Sequence, residues 1–419
     1  MNAIIITVGD ELLIGQVINT NQAYIAQQLN GVGVAVKSML TVGDNEEIML
    51  DAFAQALQDA EIVLVTGGLG PTHDDVTKKV VCKLFHAPLV QNEEALNNVR
   101  AIVEKRKVRW NALMEEQAMV PEGGVVIQNS CGTAPGILFT HNNKYFFVFP
   151  GVPKEMEEMM QRFVLSFLKT KISGSVILHR TLKTVGVVEA HLAEQLGNID
   201  ELFEQHPGTT LAFLPQIFSV RLRISVHDAT NESAQHQLAR VEKNIRAKIG
   251  NVIYGCDEEE LEDVVIKLLQ KHNYTLAVAE SCTGGHLADT LTNVSGSSLV
   301  FERGVITYSN QSKVELLDVP AELIERHGAV SKEVAETMAM GIRKISQTTF
   351  GLSITGIAGP TGGSAEKPVG LVWLGYSSAK EIFALQYYFG DGRKEIKERA
   401  TLAALNLLRK KILEKETDQ

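Results

Sequence analysis

The sequence predicts an α/β protein in which two three-layer α/β/α domains are joined by a small α+β domain. Short Val- and Ile-rich runs alternate with helical patterns over residues 1–170, which is typical of a doubly wound sheet. The same alternation returns over residues 257–415. Residues 176–254 follow a different order of strands and helices, which indicates a separate, smaller domain between the other two.

The first domain begins with a strand at Ala3–Thr7, after which Gly9 turns the chain. Asn19–Asn21 offer N-caps for a helix that runs to about Leu29, and Asn30-Gly31 end that helix. Three more strands and a final helix are predicted at Val34–Thr41, Glu61–Thr66, Phe146–Phe149 and Lys154–Leu168.

A linker is predicted at Lys169–Ser175, where charged residues, Ser and Gly interrupt the periodic pattern. The middle domain follows it, with a strand at Val176–Thr181, a helix from Val187 to Leu196 or Phe203, two strands that flank Pro215-Gln216, a helix at Ala234–Ile249 and a strand at Val252–Tyr254. This order suggests a KH-like or ferredoxin-like sheet with helices on one face, and a role as a spacer or in dimerisation.

Two amphipathic helices bracket the last domain. Apolar residues recur at helical spacing at Leu261, Val264, Val265, Leu268 and Leu269, and again at Ala400, Ala403, Ala404, Leu407 and Leu408. Between these helices, strands are predicted at Thr275–Ala279, Gly304–Tyr308, Gly351–Thr355 and Gly370–Gly375.

Composition narrows the possible functions. The 40 basic and 50 acidic residues leave a formal charge of −10 without a long basic run, so no nucleic-acid partner is expected. The N-terminal residues show no basic leader, and no apolar stretch approaches the ~20 residues of a membrane helix. The four cysteines form no Cys-x-x-Cys pair. A cytoplasmic location without membrane contact is therefore expected.

Carboxylates and glycines follow the predicted strands of the first domain. The sequence Thr-Val-Gly-Asp occurs twice and ends at Asp10 and Asp44, and a third strand leads into a glycine-rich loop and an acidic pair, which comprise Gly67, Gly68, Gly70, Asp74 and Asp75. Glycines let a phosphate approach the backbone, and carboxylates beside it would require a divalent cation such as Mg²⁺. The alternative is that Gly-Asp and Gly-Gly only form turns.

A serine in the last domain lies where a predicted strand passes into a helix. Ser281 follows an apolar strand there and precedes Gly284 and Gly285, so its hydroxyl can be exposed beside backbone N–H groups. The alternatives are that Ser281 and Thr283 only cap the helix, and that Cys282 is the nucleophile rather than a buried thiol.

A serine nucleophile needs a base, and the next predicted strand leads to Tyr308 and Lys313. Lysine acts as a base only when burial or nearby charge lowers its pKa, and the alternative is a solvated lysine. A third loop, residues 355–363, is rich in small residues whose amides can reach a phosphate, and Arg393 can clamp that phosphate.

Three segments of the first domain resemble the molybdopterin-binding fold found at the front of CinA proteins: Thr66–Thr77, Asn129–Gly136 and Phe149–Lys154. In related molybdopterin adenylyltransferases, two aspartates occupy positions that match Asp44 and Asp75. The resemblance implies nucleotide-diphosphate chemistry and, for the CinA branch, a metal-dependent ADP-ribose pyrophosphatase.

The last domain resembles the CinA C-terminal domain, a nicotinamide mononucleotide deamidase, in the segments AESCTGG, FERGVITYSNQSK, HGAVS and SITGIAGPTGGSAEKPVG. The resemblance implies metal-free hydrolysis to nicotinate mononucleotide and ammonia, and a homodimer. It implies Ser281 as nucleophile, Tyr308 and Lys313 as proton-handling groups and Arg393 as a substrate contact. Further substrate contacts would come from Thr283, Gly284, Gly285, Thr355, Gly356 and Gly359. The sequence departs from the family at Gly392, where an Asp often precedes this arginine.

Two other functions fit the sequence less fully. In one, the first domain is a metal-dependent nucleotide pyrophosphatase or a molybdopterin-binding protein, and the last domain is inactive. In the other, the chain is a non-enzymatic partner of competence or DNA-damage proteins. The acidic composition offers no nucleic-acid surface for the latter.

Overall fold

The computed structural model describes residues 1–70, 75–107, 109–171, 176–204, 206–390 and 392–417. They form two compact units, Met1–Leu178 with Val226–His236 and His179–Ser225 with Gln237–Gln419. The boundary between the units runs through the middle α+β segment, and the three-domain division stays a prediction.

The first unit contains a six-stranded sheet and a separate two-stranded ladder. The strands are β1 Asn2–Val8, β2 Ala35–Val42, β3 Ile62–Thr66, β4 Leu89–Gln91, β5 Met119–Pro121, β6 Val125–Ile127, β7 Gly136–His141 and β8 Lys144–Phe149. The helices are α1 Asp10–Leu13, α2 Thr20–Gly31, α3 Glu46–Asp59, α4 Thr77–Phe85, α5 Glu93–Arg106, α6 Ala112–Gln117, α7 Pro153–Met159 and α8 Leu165–Lys171, and the π-helical turn Met160–Val164 joins the last two.

The large sheet has the order β2-β1-β3-β8-β7-β6, parallel from β2 to β8 and antiparallel beyond it. Alternate residues of β1 enter two separate cores. Ile5 packs with residues of α2, α7 and α8, whereas Ile4 and Ile6 pack with residues of α3 and α4. Both faces of the sheet are thus covered by helices, which confirms the predicted three layers.

The middle segment forms a four-stranded sheet with the order β10-β11-β9-β12. Its strands are β9 Val176–Thr184, β10 Thr209–Gln216, β11 Ser219–Asp228 and β12 Ile253–Cys256, and its helices are α9 Glu189–Leu196, α10 Ile199–Phe203 and α11 Asn231–Ile249. The α+β prediction is confirmed. Pro215 and Gln216 end β10 instead of separating two strands.

The last sheet has the order β14-β13-β15-β16-β17, with parallel pairing among the first three strands and antiparallel pairing at β16 and β17. Its strands are β13 Leu276–Glu280, β14 Phe301–Ile306, β15 Phe350–Gly356, β16 Leu371–Ser377 and β17 Ile382–Tyr388. Its helices are α12 Leu261–Lys271, α13 His286–Thr292, α14 Asn310–Leu317, α15 Ala321–His327, α16 Lys332–Ser346 and α17 Arg393–Thr417, with a 3₁₀ turn at Ser297–Leu299.

Alternate residues of β13 also enter two cores. Leu276 and Val278 pack on the side of α12, α13 and α17, whereas Ala277 and Ala279 pack on the side of α14, α15 and α16. The last sheet is therefore the centre of a second α/β/α sandwich, as predicted from the sequence.

Several sequence predictions needed correction. Lys169–Lys171 belong to α8 and not to a linker, while the rest of that predicted linker lies outside the described residues. The antiparallel strands β4, β5, β6, β7 and β17 were not predicted. All of them except β7 are short or half-exposed edge strands, whereas β7 has the buried apolar run Ile137–Phe139 and could have been predicted from it.

The four cysteines are free thiols. No helix in the described part of the chain is long and apolar enough to cross a membrane.

Two glycines in helices should respond oppositely to the same substitution. A Cβ at Gly341 of α16 would lie 2.2 Å from the Leu317 carbonyl oxygen of α14, whereas a Cβ at Gly31 of α2 would meet nothing within 4 Å. We expect Gly341→Ala to lower the free energy of unfolding by about 1–3 kcal/mol through overpacking. Gly31→Ala should raise it by about 0.5–1 kcal/mol through lower backbone entropy of the unfolded chain.

Thermal and urea unfolding followed by circular dichroism measure both changes. Shifts of the same sign in the two variants would contradict this account of close helix packing.

Candidate active sites

Ser281 lies immediately after β13, in the turn that leads into α13. Its backbone N–H donates to the Ile354 carbonyl of the neighbouring strand at 2.9 Å, which fixes the start of the turn. Gly284 and Gly285 have φ of 63° and 96°, a region that favours glycine and lets the chain reverse tightly. The predicted strand-to-helix turn at Ser281 is therefore present.

The turn is held by the buried carboxylate of Glu280. This carboxylate accepts hydrogen bonds from the backbone N–H groups of Gly285, Leu287 and Ala288 at 3.0, 3.1 and 2.8 Å. The first turn of a helix has N–H groups without intrahelical partners, and a carboxylate is well suited to satisfy them. Glu280 thereby ties the end of β13 to the start of α13, with Ser281 between them.

Lys313 brings an amine to the serine. Its Nζ lies 3.0 Å from Ser281 Oγ and 2.7 Å from the carbonyl oxygen of Thr307. The Lys313 side chain is 1 % exposed and Ser281 is 8 % exposed. Burial lowers the pKa of Lys313 to about 8. At that pKa a usable fraction of the amine is neutral near pH 7 and can accept the serine proton.

Cys282 is the other nucleophile that the sequence allowed at this turn. Its side chain is buried, and this burial raises the pKa of the thiol to about 12. A thiol with that pKa carries almost no thiolate near neutral pH, and the thiolate is the reactive form. The structure thus favours Ser281 over Cys282 as the nucleophile of this turn.

The N–H groups of the turn differ in their availability to a ligand. The Gly285 N–H is bonded to Glu280, and the Gly284 N–H donates to the Ser281 carbonyl at 3.2 Å. Within the described residues, the Thr283 N–H has no acceptor, and the Cys282 N–H interacts only with the thiol of its own residue. The buried Thr283 hydroxyl also has no partner there. These donors beside Ser281 suit a developing oxyanion better than those of the two glycines do.

Tyr308 and Arg393 form a second part of the site. Tyr308 is 63 % exposed, and its hydroxyl accepts a hydrogen bond from Arg393 Nη2 at 3.0 Å. Arg393 Nη1 donates to the carbonyl oxygen of Gly359 at 2.8 Å, which links the third loop to the first residue of α17. The chain thus joins three of the predicted site residues in one hydrogen-bonded set next to the Ser281–Lys313 pair.

Two other predicted contacts in the third loop have structural roles in this conformation. The Thr355 hydroxyl donates to the Ala329 carbonyl at 2.8 Å, so only its acceptor capacity remains for a ligand. A Cβ at Gly356 would lie 2.7 Å from Val372 Cγ2 and 2.8 Å from the Leu371 carbonyl oxygen, so this glycine permits the close pairing of β15 and β16.

The backbone conformation explains why a glycine occupies position 392, where the sequence departs from the family pattern. Its φ is 93°, and its carbonyl accepts the Ile396 N–H at 2.8 Å at the start of α17. An aspartate would be strained at that φ. The neighbouring Asp391 lies outside the described residues.

The first unit contains a cavity of about 440 Å³ at the carboxyl ends of its parallel strands. Gly67, Gly68, Gly70, Asp44 and Asp75 all line it, as the sequence analysis predicted for one shared site. Two further carboxylates, Glu11 and Glu155, lie in the same lining, and no Lys or Arg does so among the described residues. An anionic ligand would enter this cavity only with an accompanying cation.

Of the four aspartates predicted to bind a metal, only Asp10 and Asp44 are joined by hydrogen bonds that the structure shows. The Asp10 N–H donates to the Asp44 carboxylate at 3.1 Å, and the Asp44 N–H donates to the Asp10 carboxylate at 3.2 Å. Asp75 packs on Gly70, where a Cβ would lie 2.4 Å from Asp75 Oδ2. Asp74 lies outside the described residues.

No three described His, Cys, Asp or Glu side chains are close enough together to hold a metal ion alone. This donor set still fits Mg²⁺, which typically uses one or two protein carboxylates together with phosphates of the substrate. Asp44 and Asp75 would hold such an ion.

The sequence analysis missed several groups that shape the two sites. Glu280 was detectable as the one acidic residue that ends an otherwise apolar, buried strand. Lys78 is buried beside the first cavity, where burial lowers its pKa to about 8 and the charge of Asp75 opposes that shift. Its Nζ donates to the carbonyl of Gln117, whose buried Oε1 has no partner among the described residues. The burial of Lys78 was only weakly indicated by the sequence. The one sign of it is that Lys78 precedes Val81 by three residues and so lies on the same, buried face of α4.

Three family models match successive parts of the chain. They are the probable molybdopterin binding domain over residues 4–170, the damage-inducible protein CinA KH domain over residues 179–255 and the CinA C-terminal domain over residues 258–412. The KH model identifies the middle segment as the first of the two α+β types that its strand order suggested.

The sequence similarity to related proteins extends over nearly the whole chain. A CinA-like protein from Kosmotoga olearia is 41% identical over 413 residues, which cover 99% of each chain. A CinA-like protein from Chloroherpeton thalassium is 41% identical over 417 residues, which cover 98% of this chain and 99% of the other. The crystal structure of competence/damage inducible protein CihA from Agrobacterium tumefaciens shares 41% identity, covers 35% of this chain and 91% of its own, and gives a TM-score of 0.35. Because the relatives match from end to end and the three domain models follow one another in order, the chain belongs to the CinA family.

Proposed function

We propose that the Ser281 site hydrolyses the carboxamide of nicotinamide mononucleotide to give nicotinate mononucleotide and ammonia. The observation that carries this proposal is the buried contact of 3.0 Å between Lys313 Nζ and Ser281 Oγ. A hydroxyl paired with an amine of lowered pKa is a common arrangement for a serine nucleophile. The family resemblance supplies the substrate, and the contact supplies the means of attack.

In the first step, neutral Lys313 accepts the proton of Ser281 while the hydroxyl oxygen attacks the carboxamide carbon. The amine keeps its orientation because it also donates to the Thr307 carbonyl. The N–H groups of Cys282 and Thr283 would donate to the oxygen that becomes negative. Lys313 then gives its proton to the leaving nitrogen, and ammonia departs from an acyl-enzyme.

In the second step, water attacks the ester carbon, with Lys313 again taking a proton, and Ser281 is released with the carboxylate product. Arg393 carries the fixed positive charge of the site, and it is suited to bind the phosphate of the mononucleotide. Tyr308, held by Arg393, is the candidate second proton carrier. These groups need no metal ion for the reaction.

We also propose a metal-dependent pyrophosphatase in the first unit, with ADP-ribose as its substrate. The cavity that contains Asp44, Asp75 and three glycines supports it, because four carboxylates and no Lys or Arg line it among the described residues, so that a pyrophosphate would need a metal ion to enter. A bound Mg²⁺ would supply charge neutralisation at the phosphates. The glycines let the phosphates approach the backbone closely.

Ser281→Ala should abolish release of ammonia and nicotinate mononucleotide from nicotinamide mononucleotide. Removal of the nucleophile should lower kcat by at least about a thousandfold, because the covalent step has no substitute group. Purified protein is assayed in EDTA by an ammonia assay and by chromatography of the nucleotides. Ser233→Ala, which removes an exposed serine of α11, is the matched control and should retain full activity. Absence of product with the folded wild type would reject the proposal.

The rate should follow the protonation of Lys313. Because only the neutral amine accepts the serine proton, kcat/KM should rise about tenfold per pH unit below about pH 8 and then level off. Lys313→Arg keeps the charge but stays protonated, and it should lower kcat by about 10²–10⁴. Assays over pH 6–10, with circular dichroism to verify folding, measure both effects. A flat profile in the wild type would exclude Lys313 as the base.

Asp75→Asn should remove the metal-dependent reaction and leave the amide hydrolysis intact. With Mg²⁺, wild type should cleave ADP-ribose to AMP and ribose 5-phosphate, and EDTA should stop this reaction. Asp75→Asn should lower its kcat by at least about a hundredfold. Asp51→Asn, an exposed change on α3, is the matched control. Equal loss of both reactions in Asp75→Asn would indicate misfolding, and full retention of cleavage would reject this site.

A further inference from the structure

The second unit contains a cavity of about 700 Å³ that none of the proposed reactions uses. It lies among β10, β11, β12 and the helices α12, α13 and α17, and its volume falls in the range of small-molecule sites. The residues that line it are Val185, Gln216, Ile217, Ser219, Arg221, Tyr254, Glu260, Glu262, His286, Thr290, Glu398, Thr401 and Leu402. Neither Ser281 nor Lys313 is among them.

The charges of this cavity are unbalanced. Glu260 is paired with the buried Lys183 at 2.7 Å and with Arg221 at 3.6 Å. Glu262 and Glu398 form no ion pair with any described residue. Burial, together with the nearby negative charge of Glu260, raises the pKa of Glu262. Lys183 also attracts Glu262 from a distance, but neither Glu262 nor Glu398 has a cation in direct contact among the described residues.

A third polar group of the lining also lacks a partner. Thr401 of α17 is 2 % exposed, and its Oγ1 is buried without a hydrogen bond to any described residue. A buried hydroxyl without a partner costs about 1–3 kcal/mol and is uncommon in folded proteins. A ligand with hydrogen-bond donors would satisfy this hydroxyl and the two carboxylates together.

The chemistry of the lining restricts the kind of cation. No three described acidic, His or Cys side chains come close enough here to hold a metal ion by themselves, and this lining contains no glycine that would let a phosphate approach and complete such a site, as in the first unit. Tyr254 adds an aromatic ring, a group that attracts organic cations. We propose that this cavity is a second ligand site, which binds a small organic cation of the polyamine class through Glu262, Glu398 and Thr401.

The cavity shares two helices with the Ser281 site. His286 and Thr290 lie on α13, whose first N–H groups hold Glu280 next to Ser281. Glu398 and Thr401 lie on α17, which begins at Arg393. We therefore expect a cation bound between these two helices to change the affinity of the Ser281 site for its mononucleotide. This coupling rests on the proposed amidase function, whereas binding of the cation does not.

Calorimetric titration of the full chain with spermidine at about 0.15 M salt tests the site, because this salt screens loose surface attraction. We expect saturable binding to one site. Glu262→Gln and Glu398→Gln should each weaken it about tenfold, since each removes a charge-assisted hydrogen bond. Thr401→Val should weaken it severalfold without loss of thermal stability, because it removes a hydroxyl that has no partner in the protein. Glu322→Gln makes an equal change of charge at an exposed position of α15, and this variant should bind spermidine as the wild type does.

Absence of saturable binding would overturn the proposal. Equal weakening in Glu322→Gln would also overturn it, because the attraction would then come from net charge alone. Ser281→Ala should bind spermidine normally, and a loss there would assign the amine to the Ser281 site instead.

The coupling is measured separately, as the affinity of Ser281→Ala for nicotinamide mononucleotide with and without spermidine. An unchanged affinity would overturn the coupling while the titration still decides the site. Failure of this variant to bind the mononucleotide at all would instead count against the proposed substrate.

Discussion

The site of the last domain depends on one buried carboxylate. Glu280 ends the central strand β13 and accepts three N–H groups from the start of α13, so the intervening turn has little freedom. A buried carboxylate without partners would be strongly unfavourable, which makes these three hydrogen bonds a condition for the fold here. Ser281 adjoins Glu280 in the chain, and the constraint that stabilises the domain therefore also positions its nucleophile.

The position of Lys313 depends on how its helix packs against a neighbouring helix. Lys313 belongs to α14, and α14 lies directly against α16 because Gly341 has no side chain to separate them. Lys313 is buried in the folded domain, and this burial lowers its pKa to about 8. A lysine held in this way is unfavourable for stability and useful for proton transfer.

Local patterns in the sequence were enough to predict the strand-to-turn position of Ser281 and the two three-layer sheets. The contact between Ser281 and Lys313 was not predictable from spacing, because it depends on how α14 packs against the sheet. The role of Glu280 was missed because the sequence shows an acidic residue at the end of an apolar strand but does not show which amides its carboxylate binds. The partners of the Gly284 and Gly285 amides within the protein were also not visible in the sequence, and the role of these glycines as substrate contacts stays a prediction.

The two candidate sites would use opposite means to accept phosphate, and this difference follows from their lining residues. In the first unit, carboxylates such as Asp44 and Asp75 line the cavity without a lysine or arginine among its described residues, so a cation must accompany the ligand. In the second, Arg393 supplies a permanent charge. A metal ion there would bind the lone pair of the neutral Lys313 amine, which is needed to accept the serine proton. A metal-dependent reaction and a metal-free reaction are therefore compatible in one chain, since each site disfavours the chemistry of the other.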